Sequence, residues 1–128
     1  MKIRIKDNSL RLRLSQSEVQ QLKEDGKVQA SIQFGPVAGA TLVYEVSAIA
    51  HFNITATYQN HHIFVQIPKT QVQEWADSNL VSIQAEQLIA ENSKLIILVE
   101  KDFKCLTDRP NENETDLFPH PKEGEVNC

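Results

Sequence analysis

The chain has 128 residues, 41% of them hydrophobic, the composition of one ordinary globular domain with a core of its own. A formal charge of −4 and a pI near 5.5 exclude a surface committed as a whole to nucleic acid or anionic lipid, so any basic site must be local. No window has the apolar length of a signal peptide or a membrane span, and a cytoplasmic location with no membrane partner is expected.

Period-two alternation opens the chain. Ile3 and Ile5 alternate with Lys2, Arg4 and Lys6, predicting a half-buried strand. After the turn formers Asp7 and Asn8, Leu10, Leu12 and Leu14 alternate with Arg11 and Arg13, so a second strand returns antiparallel to the first. Ser15-Gln16-Ser17-Glu18 is a capping box and starts a short helix, whose Val19 and Leu22 share one face. Gly26 follows, where a left-handed residue ends a helix. Val28, Ala30, Ile32 and Phe34 alternate as a third strand, residues 35–39 form a loop, and Leu42, Tyr44 and Val46 mark a fourth strand.

Adding 53 to each number reproduces this plan. Leu10, Leu12 and Leu14 meet Ile63, Val65 and Ile67; Val19 and Leu22 meet Val72 and Trp75; Val28 meets Val81. Gly26 meets Asn79, also tolerant of the left-handed conformation, and the turn at Asp7-Asn8 meets Asn60-His61. The identities Val19, Gln20, Val28, Leu42 and Val46 recur at a constant offset, without a gap. The expected fold is mainly β within the α+β class: duplicated ββαββ units forming one small barrel with two short helices. Repeat 1 spans residues 1–50 and repeat 2 spans 54–103, within a barrel domain of residues 1–103. Residues 104–128 form an acidic, irregular tail in which Leu117 and Phe118 are the apolar anchors.

Residues 8–19, NSLRLRLSQSEV, and still more residues 63–75, IFVQIPKTQVQEW, resemble the swapped-hairpin domains of AbrB-type regulators and MazE-type antitoxins. The most specific part is Ile67-Pro68-Lys69, a strand end followed by a short helix; the first copy has Ser15 at the place of Pro68. In that family two ββαββ chains interlock into one barrel, so the resemblance implies that the two copies here form a pseudo-dimer. The expected protein is a monomer with an internal pseudo-twofold. The whole chain also resembles an uncharacterised bacterial family that begins MKIRIK and ends in an acidic tail with a Phe-Pro-x-Pro run, here residues 118–121; this resemblance implies no activity.

Catalytic and metal motifs are sparse. Cys105 and Cys128 are too few for a disulfide framework, and with His120 they are spaced by 15 and 8 residues, unlike a compact zinc site that needs four ligands. They are weak metal candidates, and no metal or cofactor is expected. His61 and His62 fall in a turn. Asp108, Glu112, Glu114 and Asp116 lack the alternation and central glycine of a calcium loop. No phosphate loop, nucleophile elbow or His-Glu-x-x-His run occurs.

What remains is a basic hairpin face of Lys2, Arg4, Lys6, Arg11 and Arg13. Like charges on one face repel, so either an anionic partner or the protein's own acid must offset them. Residues 1–27 hold seven Lys/Arg against four Asp/Glu, and residues 100–128 hold four against eight, so the acidic tail can supply an internal offset, unless the face is simply solvated and blunts sheet-edge aggregation. The second copy presents Thr55, Thr57, Gln59, Phe64 and Gln66 at the matching positions, so the two copies do not make a symmetric operator-reading surface. The expectation is a non-enzymatic binding or interaction module with a nucleic-acid or protein partner. One alternative is a nucleic-acid-binding or antitoxin-like regulator using the basic face; another is an enzyme or small-ligand barrel, which needs a pocket with converging polar groups.

Overall fold

The computed structural model describes residues 1–104 and 115–119. Two hairpins and a helix form the first half. Strands β1 (Lys2–Lys6) and β2 (Ser9–Leu14) pair antiparallel, with Ile3 opposite Leu12 and Arg4 opposite Arg11. Helix α1 (Gln16–Asp25) starts on the expected box: the Glu18 amide donates to Ser15 Oγ at 3.4 Å, and the Ser15 amide donates to Glu18 Oε1 at 2.9 Å. It ends at Gly26, whose φ of 79° lets its amide reach the Leu22 carbonyl at 3.0 Å. Strands β3 (Lys27–Gln33) and β4 (Thr41–Ile49) follow as a second hairpin.

The second half repeats this order with β5 (Thr55–Gln59), β6 (His62–Pro68), α2 (Lys69–Ala76), β7 (Ser82–Ala90) and β8 (Ser93–Lys101). Its first turn places Asn60 and His61 at φ 52° and 61°, as Asp7 is at 50° in the first half. Sheet A has the order β1-β2-β8-β7 and sheet B the order β3-β4-β6-β5. Each sheet therefore takes one hairpin from each half. The hairpins join through parallel inner pairs, β2 with β8 and β4 with β6, in which Leu12 faces Val99 and Val46 faces Val65. Exchanging each strand for the one four places later converts sheet A into sheet B. Matching turn contacts flank the inner pairs: the Val43 amide donates to His61 O at 3.0 Å, and the Ile96 amide to Asn8 O at 3.1 Å.

The mainly β, α+β class is the expected one, with the strands divided between two four-stranded sheets. Where β7 of sheet A approaches β5 of sheet B, a side chain substitutes for a ladder: Gln87 Oε1 accepts from the Ala56 amide at 2.7 Å and Gln87 Nε2 donates to the Ala56 carbonyl at 2.9 Å. The offset departs from 53 in one strand. Val28 faces Val46, but Ile83 rather than Val81 faces Val99, so β7 lies two residues later than the repeat predicts. Helix α2 stops at Ala76 with Asp77 as its cap, and Asn79 is not left-handed. The chain spends the extra residues before β7, leaving Val81 exposed and Ile83 buried, and recovers them in the tighter β7–β8 turn.

Leu12, Leu14, Val46, Val65, Ile67 and Val99 are the inward residues of the inner strands, and Leu22, Val72 and Trp75 seal them from the helices. Trp75 is fully buried, and its indole N–H donates to the Val81 carbonyl at 3.0 Å. Residues 115–119 lie against this body. The Gln16 amide donates to the Asp116 carbonyl at 2.9 Å, Leu117 is buried, and the Phe118 amide donates to the Asp102 carbonyl at 2.8 Å. Hydrogen bonds from Ser17 and Ser15 hold the Asp116 carboxyl below the usual carboxylate range. Cys105, His120 and Cys128, with Asp108, Glu112 and Glu114, lie outside the described residues.

Because Trp75 fills the space between α2 and the sheets, Trp75→Ala should destabilise the protein by about 3–5 kcal/mol in denaturant unfolding. A loss below about 1 kcal/mol would show that this helix face does not hold the core.

Candidate functional site

The outer face of sheet A is set by strand register. Lys2, Arg13, Glu100 and Ser82 stand in one row across the four strands; Arg4, Arg11, Leu98 and Gln84 form the next; Lys6, Ser9, Ile96 and Glu86 form the third. All five expected cations thus share one face, as alternation requires. They do not share one electrostatic state.

Arg11 and Arg13 converge on Glu100. Each donates from Nε to Glu100 Oε1 at 2.7 Å, and Arg11 adds a bond from Nη2 to Oε2 at 3.3 Å. The Glu100 side chain is 10% exposed, and those of Arg11 and Arg13 are about one third exposed. Lys2 Nζ lies 2.9 Å from Asp102 Oδ2, another buried carboxylate. Among the described residues, Glu100 near the end of β8 and Asp102 just after it offset these three cations. Arg4 and Lys6 are exposed and make no ion pair with any described residue. Beside them, Ile96 is 37% exposed and Leu98 is half-buried, and a shallow depression of about 340 Å³ runs between Arg4, Lys6, Arg11, Ile96 and Leu98.

Drawing Arg11 or Arg13 away to an external phosphate would leave a buried carboxylate less compensated, and that desolvation cost opposes the gain. The face offers two accessible cations next to apolar surface. Sequence reading located the cations but missed Glu100, Asp102, Ile96 and Leu98. Alternation along β8 puts Ile96, Leu98 and Glu100 on one face, but only the parallel pairing with β2 sets that face beside the arginines.

Sheet B carries a different surface at the equivalent place. His62 stacks on Phe64 with ring centroids 3.9 Å apart, and its Nε2 lies 3.4 Å from the buried Glu45. Ser47 Oγ donates to the other Glu45 oxygen at 2.7 Å. His62 is thus drawn into the sheet surface, while His61 occupies the turn. Thr55, Thr57, Gln59 and Gln66 complete the face without a cation among them.

If Glu100 anchors the two arginines, Glu100→Gln should lower stability by about 1–3 kcal/mol by loss of charge-assisted hydrogen bonds. Unchanged stability in denaturant unfolding would show that the pair is incidental.

Among the described residues no helix is long and apolar enough to cross a membrane. Comparison with curated proteins and with solved structures finds no match in either. No comparison links the chain to the AbrB-type or MazE-type domains that its motifs resemble. A family model does match, over residues 1–122. The chain belongs to the family of unknown function DUF7009.

Proposed function

We propose that the protein is a non-enzymatic interaction module that docks an acidic segment of a protein partner on the outer face of sheet A. The observation that carries this reading is the juxtaposition of two accessible cations, Arg4 and Lys6, with the apolar surface of exposed Ile96 and half-buried Leu98. An extended segment alternating carboxylate and apolar side chains matches that surface in charge and in apolar contact. Nucleic acid matches it less well. Three of the five cations are engaged by Glu100 and Asp102, and the chain's net charge of −4 repels a duplex beyond the patch. The interchange of the two sheets supports tandem duplication, the resemblance to swapped-hairpin domains, and a monomer with its pseudo-twofold inside one chain.

Two probes separate the partners: a labelled hexapeptide alternating glutamate and leucine, and a 20-base-pair DNA duplex. The peptide should bind the full chain, and Arg4→Gln with Lys6→Gln should weaken it about tenfold, as loss of charge-assisted contacts implies. Any DNA binding should show a log-log salt slope no steeper than about −2, the value for two phosphates neutralised. DNA binding with a slope near −4, flattened by Arg11→Gln and Arg13→Gln, would replace this reading with nucleic-acid recognition. Binding of neither probe at low salt would remove the face from consideration.

A further inference from the structure

On the opposite side of β8 from Glu100, the next residue in the chain pairs with no acid among the described residues. Lys101 is 6% exposed, and no described carboxylate lies within ion-pair distance of it. Its Nζ donates to the Ser78 carbonyl at 2.7 Å, tying down the loop that follows α2. That bond uses one of three donors. The ammonium otherwise lies between two aromatic rings, 5.8 Å from the Trp75 ring and 5.6 Å from that of Phe118. Burial pushes its pKa below the usual lysine range.

Lys101 also lines a cleft of about 500 Å³. Val81, Phe103, Phe118 and Pro119 give the cleft apolar walls, and Ser78 and Asn79 add polar groups. Phe103 and Phe118 meet at a tilted angle with centroids 5.7 Å apart, held by the Phe118 to Asp102 and Lys104 to Phe118 backbone bonds. The volume is that of a small-molecule site, and the polarity pattern, apolar walls with one buried cation, is that of a site for an amphiphilic anion.

We propose that this cleft binds a small apolar monocarboxylic acid, aromatic or branched aliphatic, with its carboxylate on Lys101 and its body among Val81, Phe103 and Phe118. A carboxylate supplies the missing counter-charge of a buried ammonium and uses its spare donors. One cation suits a monoanion. A phosphate dianion would carry a second charge into apolar walls with nothing to balance it. This binding is separate from the partner face on sheet A and stands or falls without it.

The test uses the full chain and three probes: benzoate, benzyl alcohol and inorganic phosphate. Trp75, the sole tryptophan, reports binding by fluorescence, and NMR of the lysine side-chain Cε signals reports the amine. Benzoate should bind saturably and shift the Lys101 signal. Benzyl alcohol, of similar shape but uncharged, should bind about tenfold or more weakly, the value of a charge-assisted hydrogen bond. Phosphate should not displace benzoate. Lys101→Met should erase the preference for benzoate over the alcohol, and Lys101→Arg should keep it. Equal binding of benzoate and benzyl alcohol to the unmodified protein would overturn the proposal, as would displacement by phosphate or the absence of any saturable change.

Discussion

Parallel pairing of β2 with β8 and of β4 with β6 is the constraint on which the rest of the molecule depends. A two-stranded hairpin alone is marginal in water, and each half has two hairpins that go to different sheets. Each hairpin is completed to a four-stranded sheet only by a hairpin from the other half. The inner strands carry the fully buried Leu12, Leu14, Val46, Val65, Ile67 and Val99, so the apolar core and the crossing between halves are one feature. At about 25 cal/mol per Å² of apolar surface, burying such side chains is the main favourable contribution, and neither half can obtain it alone.

The electrostatics follow from the same crossing. Residues 1–27 carry an excess of three positive charges, and alternation concentrates the strand cations on one face. Bringing β8 beside β2 places Glu100 next to Arg13 in the ladder and within reach of Arg11, and lets Asp102 meet Lys2. Cations from the beginning of the chain are thus neutralised by acids about 90 residues later. Farther along β1, Arg4 and Lys6 make no ion pair with a described residue. On the other side of β8, Lys101 lies between Trp75 and Phe118, where no described acid meets it.

Local chemistry was legible in the sequence; cross-chain register was legible only in part. Alternation, the Ser15–Glu18 box, Gly26 and the two turns are decided by neighbours within a few residues, and they predict β1 to β6 and α1 closely. The repeat predicts which strands are equivalent. It fails at β7, because Val81 and Ile83 both satisfy a period of two, and only packing against Val99 chooses between them. Asn79 has the residue type of a helix end, but α2 stops earlier and Lys101 holds the following loop instead. Of the candidate face, all five cations were readable from alternation. Their acids, the apolar strip at Ile96 and Leu98, and the buried amine of Lys101 depend on contacts between distant segments, which periodicity does not encode.

Native-state hydrogen exchange tests the interlocking of the halves most directly. Amides of β2, β4, β6 and β8 should share the slowest exchange class, with one opening free energy and one denaturant dependence, because neither sheet survives loss of a hairpin from either half. Separate opening of residues 1–50 and 54–103, each with its own free energy and denaturant slope, would contradict it.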